Sequence, residues 1–239
     1  MDTTEQKQYK ILSLVMAGLL LVSMYVVGRE TGKYVASMQV KVREAKPCVV
    51  IDAGHGGMDP GKMGINGVAE KDVNLKIALL VKEFLEADDI RVIMTRETDA
   101  GLYDEDASNK KVQDMKRRVA IIEEENPVLA VSIHQNSYPE EYVHGAQVFY
   151  YSGSTEGQKL AEAIQSQLVA KADPENKRLV KGNDSYYLLR KTGSPIVIVE
   201  CGFLSNQAEA EKLCTAEYQE KLAWAIHMGI VRHLNDEKN

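Results

Sequence analysis

The chain has 239 residues, 44% hydrophobic and 27% charged, with a net charge of −6. That acidic balance argues against a nucleic-acid surface, which needs clustered Lys and Arg against the phosphates. Three cysteines, Cys48, Cys201 and Cys214, are too few and odd in number for a disulfide framework, and they leave the redox compartment open.

Residues 11–28 carry no charge and are apolar all round, which predicts a membrane-spanning helix rather than an amphipathic one. No small-residue cleavage site comes cleanly after it, so residues 1–28 read as an uncleaved signal-anchor. Lys7 and Lys10 precede the span, while Arg29, Lys33, Lys41, Arg43 and Lys46 come after it, so the flanking charges do not fix its orientation. Residues 29–46 are polar and basic and close at Pro47. They read as a linker to one catalytic-sized domain over 47–235, about 190 residues with a single core.

Strands and helices then alternate. Residues 48–51 are an apolar run, hence a strand. Residues 72–88 put Val73, Ile77, Leu80, Val81, Phe84 and Leu85 on one helical stripe, with Asp72 as the expected cap. Residues 90–95 read as strand, and 111–125 as a helix with Val112, Met115, Val119 and Ile122 on one face, stopped by Pro127. Next come strands at 128–133 and 146–151, a helix at 155–171 ended by Pro174, and a short helix at 185–191. "PIVIV" at 195–199 is a fully apolar strand, with its proline at the tolerated first position. Helices at 207–214 and 217–234 close the chain. The pattern predicts an α/β fold, a mostly parallel sheet flanked by helices on both faces. The charged stretch "RETDAGLYDEDASNKK" is a long loop expected on the rim of a site.

In such a sheet the site forms at the carboxyl ends of the strands. The polar residues at those ends are therefore informative: Asp52, then His55 among glycines; Thr95 and Arg96; His134, Gln135 and Asn136; Glu200 and Cys201. Glu70 joins them from the glycine-rich loop ahead of the first domain helix. Two imidazoles and a carboxylate are a common ligand set for a catalytic zinc with one open position. A further carboxylate can then act as general base. Glu200 directly after "PIVIV" is costly to bury unless it is paired or used. Rival sites are weaker. Cys201 reads as a packed thiol, since Glu200 beside it opposes a thiolate. "GHGG" lacks the spacing of a phosphate loop. His144, His227 and His233 read as turn or helix-packing residues, and Arg96, Arg117 and Arg118 as partners of surface carboxylates ahead of the alternative that they bind a substrate carboxylate.

"VVIDAGHGGMDPG", "GVAEKDVNLKIALLV", "VIMTRETD", "AVSIHQNS" and "YLLRKTGSPIVIVECGFLSN" succeed one another in the order found in the zinc-dependent N-acetylmuramoyl-L-alanine amidases, the amidase 3 family, which this chain resembles from about Cys48 to Leu234. The resemblance implies hydrolysis of the amide between N-acetylmuramic acid and the L-alanine of the peptidoglycan stem peptide. It implies His55, Glu70 and His134 as zinc ligands and Glu200 as the catalytic base. It also implies an activating partner protein for some members, and a catalytic domain outside the cytoplasm facing the cell wall. The N-terminal apolar segment, the single domain and the form "SIHQNS" are similar to the germination-specific amidases of spore formers, which act on cortex peptidoglycan on the way to muramic-δ-lactam. Two alternatives stand beside this reading: a wall-binding domain without activity, and a zinc peptidase cutting within the stem peptide.

Overall fold

In the computed structural model of this chain, residues 3–41 and 46–236 are described. The chain divides into two compact units, residues 1–45 and 46–239. The first is one helix, α1 (Thr3–Lys41). Its stretch Tyr9–Val35 contains an 18-residue window of mean hydropathy 2.3 and is long and apolar enough to cross a membrane. The polar residues expected to form a linker are helical as far as Lys41. Arg29, Glu30 and Lys33 are sound helix formers, and Lys33 Nζ meets Glu30 Oε1 at 2.7 Å one turn away. Residues 42–45, including Arg43, lie outside the described residues.

The second unit is built on six strands: β1 (Cys48–Ala53), β2 (Arg91–Met94), β3 (Leu129–Asn136), β4 (Gln147–Tyr150), β5 (Lys181–Gly182) and β6 (Ile196–Phe203). Their order across the sheet is β2-β1-β3-β6-β4-β5. Every neighbouring pair is parallel except β4 with β6. Helices α2 (Glu70–Ala87), α3 (Lys110–Glu125), α4 (Thr155–Gln167), α5 (Tyr187–Lys191), α6 (Gln207–Leu213) and α7 (Ala216–Asp236) connect and cover them.

Alternation along β1 shows how both faces are filled. Val49, Ile51 and Ala53 join the larger core with Val73, Ile77, Leu160, Ile164, Leu222 and Ile226 from α2, α4 and α7. Val50 points the other way, into a smaller core with Ile122, Leu188 and Leu189 from α3 and α5. Strands buried on both sides read as unbroken apolar runs, which is why β1, β3 and β6 are plain in the sequence.

Several boundaries differ from expectation. Helix α2 starts at Glu70, not Asp72, and Asp72 does not cap it; the N-cap is Ala69, with no side-chain cap bond. Loop carbonyls take over that task, Lys62 and Pro60 accepting the N–H groups of Glu70 and Lys71 at 2.9 and 3.1 Å. The helix expected to run to Lys171 leaves α geometry at Gln167 and finishes in a π-helical turn, Leu168–Ala172. Strands β3 and β6 run several residues further than their apolar stretches, so His134 and Glu200 lie within strands rather than after them. The two are Cα partners in the parallel ladder.

Candidate metal centre

Three segments bring donor atoms together. His55 comes from the turn after β1, Glu70 from the first turn of α2, and His134 from the late part of β3. One ligand atom from each lies within 4.8 Å of the others. Glu70 Oε1 is the hub, 3.2 Å from His55 Nε2 and 3.0 Å from His134 Nδ1. The same oxygen accepts the Gln135 backbone N–H at 3.1 Å and an Asn74 amide N–H at 3.3 Å. Its partner Oε2 accepts the Lys62 N–H at 2.8 Å. Burial alone would raise the Glu70 carboxyl, but the imidazoles of His134 and His55 outweigh it and hold it far below the usual carboxylate range.

Small residues make this approach possible. A Cβ at Gly54 would stand 2.3 Å from the His134 ring, and one at Gly61 would stand 2.5 Å from Glu70 Oε2. Gly61 also has φ +68°, a conformation that side chains rarely adopt. His55 itself adopts φ 62°, which is uncommon away from glycine. Its ring meets the His134 ring edge-to-face, centroids 5.0 Å apart, and its Nδ1 lies 2.9 Å from Asp59 Oδ2.

Glu200 lines the same cleft as His55, Glu70 and His134. Burial pushes its carboxyl up to about 7, the Glu70 charge adding to the effect while His134 and His55 oppose it. Oε1 accepts a loose hydrogen bond from the Tyr186 hydroxyl at 3.5 Å. Oε2 is buried and has no hydrogen-bond partner among the described residues. Such an atom is expensive to keep and calls for a reason. Two imidazoles and the buried carboxylate between them could hold a zinc-type cation, and an acid with one unpartnered oxygen stands beside them.

Residues 49–232 match the family described as N-acetylmuramoyl-L-alanine amidase. The chain belongs to the N-acetylmuramoyl-L-alanine amidase family. It is 38% identical over 193 residues to the germination-specific N-acetylmuramoyl-L-alanine amidase of Bacillus subtilis (strain 168), covering 79% of this chain and 80% of that protein. Among solved structures it is similar to the CwlD amidase of Clostridioides difficile in complex with the GerS lipoprotein, with a TM-score of 0.78 at 40% identity over 80% of this chain and all of that one. A second amidase, from Clostridium difficile 630, matches with a TM-score of 0.72 at 30% identity, covering 80% and 98% of the two chains.

In this amidase, His55, Glu70, His134 and Glu200 therefore meet in one cleft, while the other histidines stand elsewhere. His227 Nε2 lies 2.7 Å from Asp88 Oδ2 and its ring packs near Trp224 and Phe84, as a helix-packing residue should. His144 falls with Asp173 and Glu209 in a second cluster of donor atoms. There the Glu209 carboxylate already accepts the Gly145 and Phe203 N–H groups, at 3.0 and 2.8 Å. Cys201 is fully buried, and burial followed by the Glu200 charge pushes its thiol far up, so it is no nucleophile.

The arginines correct the sequence reading. Arg117 does pair at the surface, with Asp104 at 2.6 Å. Arg118 and Arg96 are buried instead, 2% and 5% exposed. Arg118 Nη1 donates to Asp52 Oδ1 at 2.6 Å and to the Ala53 carbonyl at 2.9 Å, and Nη2 donates to the His55 carbonyl at 2.6 Å. Arg96 donates to the carbonyls of Ala53 and Gly54 at 2.9 and 3.1 Å. Two guanidinium groups thus hold the backbone that delivers His55. The charged loop after β2 adds to the grip: Gly57 N–H donates to Asp99 at 2.9 Å and Met58 N–H to the Tyr103 hydroxyl at 2.8 Å. Sequence reasoning also missed Asn74. It sits four residues after Glu70, hence on the same helix face, and its amide bridges Glu70 and the Gly54 carbonyl while its oxygen accepts from Gln135 Nε2.

Proposed function

We propose that this amidase is zinc-dependent, with His55, Glu70 and His134 holding the ion and Glu200 acting as general base. The observation that carries this reading is the convergence of those three donors, from three separate segments, within 4.8 Å of one another. A zinc ion in such a site supplies Lewis acidity, polarising a carbonyl and lowering the pKa of water to roughly 7. The protein's own groups do the rest. Glu200 takes one proton from the attacking water as its oxygen bonds to the lactyl carbonyl carbon. It then passes that proton to the alanine nitrogen as the C–N bond breaks, leaving a free amino terminus on the stem peptide and the muramic acid carboxyl group, which ionises by releasing the water's second proton. A carboxyl raised by burial toward neutrality is suited to both halves of that transfer. Tyr186 and Tyr187, which line the same cleft as Glu200, flank the path of the substrate.

The relatives supply the biological setting. The likeness to a germination-specific amidase supports spore-cortex peptidoglycan as the substrate, processed toward muramic-δ-lactam. The similar CwlD structure, solved as a complex with a lipoprotein, supports a partner protein for this chain. The apolar stretch Tyr9–Val35 of α1 supports a membrane anchor ahead of the domain, and the likeness to peptidoglycan amidases supports a catalytic domain outside the cytoplasm.

Mass spectrometry of cortex peptidoglycan after digestion tests the reaction, with metal content measured on the same preparation. Intact stem peptides and bare glycan are expected, and shortened peptides would mean a peptidase instead. Chelation should abolish turnover and zinc should restore it. Glu200→Gln should keep about one zinc per chain and lose turnover by ~100-fold or more. A Glu200→Gln variant with near-normal turnover refutes the base assignment.

A further inference from the structure

Beside the three donors stands a carboxylate that the reaction leaves unused. After His55 the backbone curls back on itself: Gly56 and Asp59 exchange backbone hydrogen bonds of 3.0 and 3.2 Å. The Gly61 N–H then donates to Asp59 Oδ1 at 3.2 Å. This turn fixes the Asp59 carboxylate and leaves Oδ2 2.9 Å from His55 Nδ1. The arrangement has a purpose that the backbone makes visible. With φ 62°, His55 sits where a side chain costs on the order of 1 kcal/mol or more, so its ring is not held by a relaxed main chain. The remaining partner of Asp59 Oδ2 is Lys111, 3.6 Å away and largely exposed, a pair of little energetic weight.

We propose that Asp59 is a positioning residue for the metal: by accepting the Nδ1–H of His55 it keeps the lone pair on Nε2, the nitrogen that faces Glu70. The inference rests on the zinc reading above. Its physical basis is that a neutral imidazole carries one proton on one of two nitrogens, and the nitrogen that donates a hydrogen bond leaves the other to ligate. A carboxylate in that place fixes the ring's orientation and its tautomer together, and raises the basicity of the ligating nitrogen. Asparagine in its place reverses the pattern. Its oxygen would still take the Gly61 N–H, so the turn survives, and its NH₂ group would face Nδ1 and favour a proton on Nε2.

The test is Asp59→Asn in the full-length chain, held in detergent micelles. Zinc dissociation constants are measured by competition with a chromophoric chelator, and the His55 ring is observed by 15N NMR in the zinc-loaded protein. Zinc affinity is expected to fall about 10- to 100-fold. The Nδ1–H signal is expected to lose the downfield position that a carboxylate acceptor gives it, a signature that loss of a merely structural contact would not produce. Asp59→Glu, which keeps a carboxylate acceptor, should recover part of the affinity. Affinity within twofold of wild type, or an unchanged Nδ1–H signal, overturns the role of Asp59. A wild-type chain that takes up no zinc overturns the zinc reading itself, and the two failures are distinguished by the wild-type titration alone.

Discussion

Replacing Arg118 by methionine tests how the His55 turn is held. The change keeps an unbranched chain in place but removes a cation whose pairing with Asp52 is almost sealed from solvent, the two side chains being 2% and 1% exposed. What remains is a buried carboxylate under the hydroxyls of Thr95 and Ser132, and two carbonyls, of Ala53 and His55, that lose a donor. Stranding one member of a buried pair costs ~3–5 kcal/mol. The pH dependence supplies a second arm. Burial alone would raise the Asp52 carboxyl, but Arg118, then Ser132, His134 and Thr95, bring it from 3.8 down to about 2. A carboxylate whose folded pKa is depressed stabilises the fold above its unfolded value, near pH 4, and that contribution drains away as the pH falls toward 2. The gap between 3.8 and about 2 corresponds to ~2.4 kcal/mol. Urea unfolding reads both effects through Trp224, the chain's single tryptophan, which stacks edge-on against Phe84 at 5.3 Å. At pH 7 the midpoint should fall by about 1–2 M, given a slope of ~2–3 kcal/mol/M. At pH 3 the difference between variant and wild type should narrow. A loss below about 1 kcal/mol at pH 7, or a difference that does not change with pH, would show that the pair is not the buried strut described here.

Two further substitutions address the cleft directly. Gly54→Ala places a methyl 2.3 Å from His134 Cε1 and 2.4 Å from Nε2, so the ring must swing aside. Bound zinc should drop well below one per chain in a protein that still unfolds cooperatively, and full zinc occupancy would show that the ring yields without cost. Cys201→Ala should keep at least about half of the turnover, because a fully buried thiol pushed far above its ordinary pKa has no part in the chemistry. Iodoacetamide should label exposed Cys214 and spare Cys201, and a large loss of turnover in the alanine variant would reinstate the cysteine.

That the candidate site residues meet at one place was legible because most of them obey a rule of position. Polar residues that end apolar strands in an open α/β sheet collect along one edge, and His55, His134 and Glu200 each stand in that place. The network that holds them was less legible, for a reason that differs from residue to residue. Arg118 did leave a trace. It lies three residues after Met115 and four before Ile122, inside the stripe that faces the sheet, whereas Val112 on the same expected face is 47% exposed. A cation within an apolar stripe demands a buried anion, and Asp52, at the end of β1, was the available one. Asn74 carried a similar trace, one helical turn from Glu70 and beside Val73. Gln135 was different. Its backbone N–H serves Glu70 and its amide serves Asn74, contacts that join β3 to α2 across 65 and 61 residues and that no local spacing encodes. The general lesson lies in the kind of interaction. Apolar periodicity reports which face is covered, and strand ends report where a site opens, because both arise from local geometry. Hydrogen bonds from a side chain to a distant carbonyl, such as Arg118 to His55, depend on which elements become neighbours. They become readable only when a charged residue breaks an apolar pattern and so declares that a partner must exist.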